Sequence, residues 1–382
     1  MKYKIPYGKQ SIDESDINSV VEVLRSDYLT QGPKVLEFEK KIANFCGSKY
    51  AVACSSGTAA LHLSYQILSN KSKRGKVLTT ALSFSATSNA LMYCGLIPEF
   101  VDIDNNNYCI SINELGKKIK ANPEEFVGIA VVHYAGYPID MMKVKEIADN
   151  YNLWVVEDSC HALGGSFINN DYISKIGSSD YSSFSTFSFH PVKHITTGEG
   201  GMVTTNDKSL YEQLLLLRSH GIKKDFNHDD ELWRQDLTVL GFNYRMSDIN
   251  AALGVSQLDK LERFIKVRNE IAEYYNENLS DLPITLPEKC NHIHAYHLYV
   301  ILTDFRKDLY HFLREKNIFT QVHYVPICEM SLYTSLIDSY GSNLKNTNYF
   351  YNRCLSLPIY PDLKRDEQDY VIDSIKKFFG KI

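Results

Sequence analysis

The chain lacks the signatures of several broad protein classes. Its eight cysteines, Cys46, Cys54, Cys94, Cys109, Cys160, Cys290, Cys328 and Cys354, form no CxxC pair and follow no regular spacing. In a chain of 382 residues this argues against a disulfide scaffold and for reduced thiols packed as small apolar groups. The histidines show no ligand spacing either, so no metal site is expected. No apolar stretch approaches the roughly 20 residues of a membrane helix. Met1-Lys2-Tyr3-Lys4-Ile5-Pro6-Tyr7 lacks the apolar core of a signal peptide, and a cytoplasmic protein without a membrane partner is the expectation. Excess positive charge is missing as well. A formal net charge of -5 supplies no overall basic field for nucleic acid or an anionic surface. Internal repeats and low-complexity tracts are absent.

What is present is enough apolar material, 44% of residues, to bury a substantial core in two domains or in one large domain with an appendage. From Tyr50 to about Asn206, short β-rich runs alternate with helical patterns. The runs are Tyr50–Ala53, Lys76–Thr80, Glu99–Asp102, Gly128–His133 and Leu153–Val156. Helix candidates at Thr58–Leu68 and Met141–Tyr151 are long enough to serve as crossovers, so the pattern predicts a mostly parallel sheet in an α/β domain. Ligands of such sheets gather beyond the carboxyl ends of strands, where Ser55-Ser56-Gly57, Ser83-Phe84 and Asp158 are expected. Ser247-Asp248 reads as a helix cap. Gly254, Leu258, Leu261 and Ile265 continue with helical spacing toward Tyr274-Tyr275, predicting one long amphipathic helix that ends before Leu282-Pro283. Beyond it, the runs Tyr296–Leu302 and Phe319–Tyr324 predict a smaller α/β domain. Residues 1–246 and 247–382 are the expected division, and the polar segment Lys223–Asp236 reads as a surface loop.

Three pieces of the larger region suit one chemistry. Lys193 lies between a predicted strand ending in Phe187-Ser188-Phe189 and the turn Gly198-Glu199-Gly200-Gly201, a placement suited to a Schiff base with an aldehyde cofactor. Asp158 closes the apolar run Leu153-Trp154-Val155-Val156-Glu157-Asp158, as would a carboxylate paired with the pyridinium nitrogen of pyridoxal phosphate. Gly57-Thr58 opens a helix whose backbone N–H groups suit a phosphate. Each feature has a plainer alternative. Lys193 could be a surface lysine, Asp158 a helix cap and Ser56-Gly57-Thr58 a tight turn before a helix.

Taken in order, these motifs resemble the DegT/DnrJ/StrS family of sugar aminotransferases, which are fold type I pyridoxal-phosphate enzymes, nearly from end to end. The resemblance implies that Lys193 forms the Schiff base and moves the proton. It implies that Asp158 keeps the pyridine nitrogen protonated, that His161 lies near the phenolic oxygen, and that Phe84 stacks on the ring. On chemistry alone, His161 bonded to a backbone carbonyl and Phe84 in a core remain open. Ser56, Gly57, Thr58 and Ser188 match the phosphate site. Asn243, in Gly241-Phe242-Asn243-Tyr244-Arg245-Met246, matches a residue reaching the neighbouring subunit's phosphate site, which implies a homodimer. Arg245 matches either a contact to an anionic substrate or a structural ion pair. Tyr7, Asp27, Tyr28, Leu29, Thr30, His190, Gln321, His323 and Tyr324 match sugar-contacting positions.

Lysine at position 193, where the dehydratases of this family carry histidine, implies transamination. The motifs Tyr28–Gly32, Ser188–Lys193 and Gln321–Tyr324 most resemble the branch that uses L-glutamate to aminate C4 of a UDP-linked 4-keto-6-deoxy N-acetylhexosamine in pseudaminic acid biosynthesis. A C3 or dTDP-sugar aminotransferase, or a non-catalytic binding relative, is the alternative.

Overall fold

The computed structural model describes residues 3–69, 75–169, 172–224, 233–336 and 344–380. Seven short runs, each almost wholly buried, form the central sheet: β1 Tyr50–Cys54, β2 Lys76–Thr80, β3 Ile97–Val101, β4 Phe126–Val132, β5 Trp154–Asp158, β6 Phe184–Ser188 and β7 Gly201–Thr205. Their spatial order is β1-β7-β6-β5-β4-β2-β3. All pairs are parallel except those made by β7, which runs antiparallel to both β1 and β6. Apolar runs without alternation suit strands covered on both faces. One face packs helices Ile112–Ala121 and Met141–Asn150, through Leu115, Ile119 and Val144. On the other, Gly57–Ser69 and Lys208–Arg218 supply Leu61, Leu63 and Leu214.

The expected long helix is two helices. Asp248–Leu258 starts at Ser247, whose side chain accepts from the Asn250 N–H, and Leu261–Leu279 follows after a break at Asp259-Lys260. Lys260 is drawn to the amino-terminal helix, where its Nζ lies 2.5 Å from Asp13 Oδ1 and 2.8 Å from Asp16 Oδ2. Apolar spacing carries no trace of that long-range ion pairing.

In the carboxyl-terminal section, Tyr299–Leu302 pairs antiparallel with Cys354–Leu357, and helices Arg306–Glu315 and Arg365–Phe379 share its core. Two further readings need correction. Of the later run Phe319–Tyr324 only Phe319 lies in a strand, Ile318–Phe319, which pairs in parallel with Ile5–Pro6, so strand pairing crosses the expected division after residue 246. Gln321 makes a single bridge to Ser356, and the chain then turns through His323 and Tyr324. The ends of the segment read as a loop are strands, with Ile222–Lys224 antiparallel to Gln235–Leu237; residues 225–232 of that segment lie outside the described residues. All eight cysteines are free, and Cys46, Cys54, Cys109, Cys328 and Cys354 are buried.

Candidate active site

The carboxyl ends of β1, β4, β5 and β6 open onto one cleft of about 420 Å³. Twelve of the expected site residues line it: Tyr7, Ser56, Gly57, Thr58, Phe84, Asp158, His161, Ser188, His190, Lys193, His323 and Tyr324. Open parallel sheets gather ligands in this position because loops leaving adjacent strand ends converge there.

The Gly57–Ser69 helix points its amino terminus into the cleft beside Ser188. Glycine is required by close approach, since a Cβ at position 57 would lie 2.7 Å from Ser188 Cβ. Unpaired N–H groups at such an end suit an anion. Across the cleft, Asp158 is buried at the end of β5. Its Oδ2 accepts from Thr87 Oγ1 at 2.6 Å, and its Oδ1 from the Cys160 N–H at 3.2 Å. The second contact caps a turn, not the helix weighed from sequence, since no helix follows Asp158; the first holds the carboxylate from the helix Ala86–Tyr93.

Lys193 follows β6, its N–H donating to the His190 carbonyl at 2.9 Å. Burial pushes the proton affinity of its amine below the ordinary lysine value; Cys160 and Asp158 oppose that shift and Arg268 adds to it. The direction favours the free amine, the nucleophilic form. Its Nζ lies 3.4 Å from His297 Nε2. His161 is held neutral chiefly by burial, then by the nearby Lys193 charge. Its Nε2 contacts Tyr324 Oη at 3.1 Å rather than a backbone carbonyl, and its Nδ1 is buried with no protein partner. Phe84 is 59% exposed at the cleft mouth and therefore is not a core residue.

The remaining expected residues stand apart from these walls in the single chain. Tyr28 and Leu29 are exposed, and Thr30 bridges to Ser247. Asp27 and Gln321 are exposed too. Asn243 is exposed and bridges to Ser219 through its backbone, with half-buried Arg245 close by in sequence. Conversely, Thr87, Cys160, Glu199 and His297 reach the site without having been singled out. Thr87 lies three residues beyond Phe84 in the first turn of the helix Ala86–Tyr93, and that spacing is a usable signal. His297 has none, because it sits in an apolar run that reads only as strand.

The residues fit pyridoxal phosphate. A buried carboxylate, a lysine whose proton affinity burial lowers, an imidazole nitrogen without a partner among the described residues and a helix end too tight for any Cβ surround one space.

A family model described as the DegT/DnrJ/EryC1/StrS aminotransferase family matches residues 10–376. A UDP-4-amino-4,6-dideoxy-N-acetyl-beta-L-altrosamine transaminase of Campylobacter jejuni is 37% identical over 385 residues, spanning 99% of this chain and 98% of its own. The structure of Helicobacter pylori PseC, an aminotransferase involved in the biosynthesis of pseudoaminic acid, superposes with a TM-score of 0.91 at 35% identity and full coverage of both chains. A Streptococcus pneumoniae protein assigned as a sugar aminotransferase, solved in its PLP form, gives 0.89 at 26% identity over 99% of each chain.

Proposed function

Because the chain belongs to the DegT/DnrJ/EryC1/StrS aminotransferase family and is a pyridoxal-phosphate-dependent sugar aminotransferase, we propose that it aminates C4 of a UDP-linked 4-keto-6-deoxy N-acetylhexosamine. L-Glutamate is the donor and pseudaminic acid biosynthesis the setting. The observation that carries the chemistry is the shared cleft of Lys193, Asp158 and the Gly57 helix end. The sugar assignment rests on the names of the Campylobacter and Helicobacter relatives.

When bound, pyridoxal phosphate supplies an aldehyde that captures the amino group and a ring that accepts the electrons of the bond broken beside it. The chain's own residues do the rest. Ser56, Thr58, Ser188 and the helix N–H groups hold the phosphate. Asp158, kept in plane by Thr87, stabilises positive charge on the ring nitrogen. His161, held neutral, would offer its Nδ1 to the cofactor's phenolic oxygen, and Phe84 would lie against the ring. Lys193 would hold and move a proton at Nζ beside the reacting carbon, and burial favours release of that proton.

Tyr7, His190, His323 and Tyr324 form the sugar side of the cleft. The enzyme works as a cytoplasmic homodimer. Asn243, Arg245 and the Asp27–Thr30 segment, set apart from the cleft of their own chain, serve shared sites. The test is incubation with L-glutamate and a panel of UDP- and dTDP-linked keto sugars, with the aminated carbon assigned by NMR. A C4 amine on the UDP sugar is expected; a C3 amine, or transfer only to dTDP sugars, overturns the substrate assignment.

A further inference from the structure

Four buried histidines surround Lys193, and three are committed elsewhere. His194 Nε2 meets the Ala295 carbonyl at 3.1 Å, His323 Nδ1 meets Ser356 Oγ at 2.8 Å, and His161 Nε2 meets Tyr324 Oη at 3.1 Å. His297 differs. Its Nε2 is 3.4 Å from Lys193 Nζ, its ring centroid is 4.3 Å from that of His161, and its Nδ1 has no partner among the described residues. Only 4% of the residue is exposed.

The backbone beside it is clamped with unusual firmness. Arg268, fully buried in Leu261–Leu279, donates from one nitrogen to the Tyr296 and Ile359 carbonyls, each at 3.0 Å. Tyr296 directly precedes His297. The imidazole is thus fixed from the carboxyl-terminal section while the lysine it meets belongs to the loop after β6.

We propose that His297 is a positioning residue for Lys193, its neutral Nε2 accepting one N–H of the lysine so that the amine is held at the reacting face. An amine has two N–H groups and one lone pair, so one hydrogen bond restricts its rotation and leaves the lone pair available. An imidazole suits the task because it stays uncharged there, where burial and then the charge of Lys193 oppose its protonation. The same contact stabilises the ammonium form more than the amine, because hydrogen bonds from charged donors are stronger. Other groups facing the pair are Asp158, Cys160, His161, His194, Arg268 and His323, so a pH effect must be read against variants that leave these intact.

The inference rests on the aminotransferase reading, and its test separates the two. Glutamine can place a carbonyl oxygen near the Nε2 position, whereas asparagine reaches only the δ position. His297→Gln should keep kcat within about 3-fold of the parent, while His297→Asn should lower kcat further, by up to about 10-fold at little change in KM, the loss of one neutral hydrogen bond. The acid limb of the asparagine variant's profile should move to lower pH, because its ammonium form has lost an acceptor. A second readout is independent of turnover: nitrogen-15 NMR of the histidine-labelled, cofactor-free full chain should show His297 in the Nδ1–H form and responsive to Lys193→Met. Equal kcat and pH limbs in the two variants, or an Nε2–H form indifferent to Lys193→Met, would overturn the role. No amino transfer by the parent enzyme would instead sink the proposed function.

Discussion

The Ser188–Gly201 run and the Gly241–Met246 run are both glycine-bearing segments with residues matched to the cofactor, Ser188 and Lys193 in the first and Asn243 in the second. Their fates differ. Lys193 lines one cleft with Asp158, His161 and His297 of its own chain. Asn243 is exposed, and the strand Gln235–Leu237 and the residues after it carry apolar side chains into solvent, with Leu237 64% and Leu240 85% exposed. One run is enclosed where strand ends converge, and the other is left at the surface beside exposed apolar side chains.

The sharpest cut on the catalytic side is Lys193→Ala, expected to lower turnover by about 10⁴-fold or more because it removes nucleophile and proton carrier together. Steady-state amino transfer checks it, with circular dichroism confirming an intact fold. Asp158→Ala comes next. Losing a charge-assisted contact of about 1.5–3 kcal/mol should weaken cofactor retention by roughly 10- to 100-fold. Turnover should fall much more than thermal stability. Near-normal turnover with the cofactor bound would reduce Asp158 to the capping contact it makes with Cys160.

On the assembly side, Asn243→Ala should impair only the partner's site. A heterodimer of Lys193→Ala and Asn243→Ala protomers then holds one site with both defects and one intact. Co-expressed, verified heterodimers should recover activity that neither parent shows. Full activity in a monomer by sedimentation, or no recovery while Asn243→Ala alone is strongly impaired, would break the comparison.

The smallest expected effect concerns acid stability. Burial holds His294 and His323 neutral down to about 3. Unfolded histidine binds its proton near pH 6.5, so the unfolded state binds more protons between those values and stability rises with pH there. Their contribution is complete above about pH 6.5 and falls as acid is added toward 3. His294 Nδ1 accepts from the Tyr296 N–H at 2.8 Å, a bond asparagine can replace without titrating. His294→Asn should make the decline in Tm below pH 6.5 shallower by about one proton's worth; an unchanged slope would contradict the assignment.

Much of this is legible in the sequence because it is local. The strands Lys76–Thr80 and Phe126–Val132 need only buried apolar sequence, and Lys193, Asp158 and Gly57 each sit in a contiguous motif. What escapes depends on partners far along the chain. His297 meets Lys193 across 104 residues, and the helix breaks where Lys260 turns to Asp13 and Asp16 near the other end of the chain. The strands at Ile222–Lys224 and Gln235–Leu237 are hidden by polar composition, since exposed strands need no apolar alternation.

The central claim is that Lys193 is the cofactor's point of attachment. Borohydride reduction of the holoenzyme followed by peptide mapping tests it directly. One stable adduct is expected, on Lys193, and it should be lost in Lys193→Ala. An adduct on any other lysine would contradict the claim.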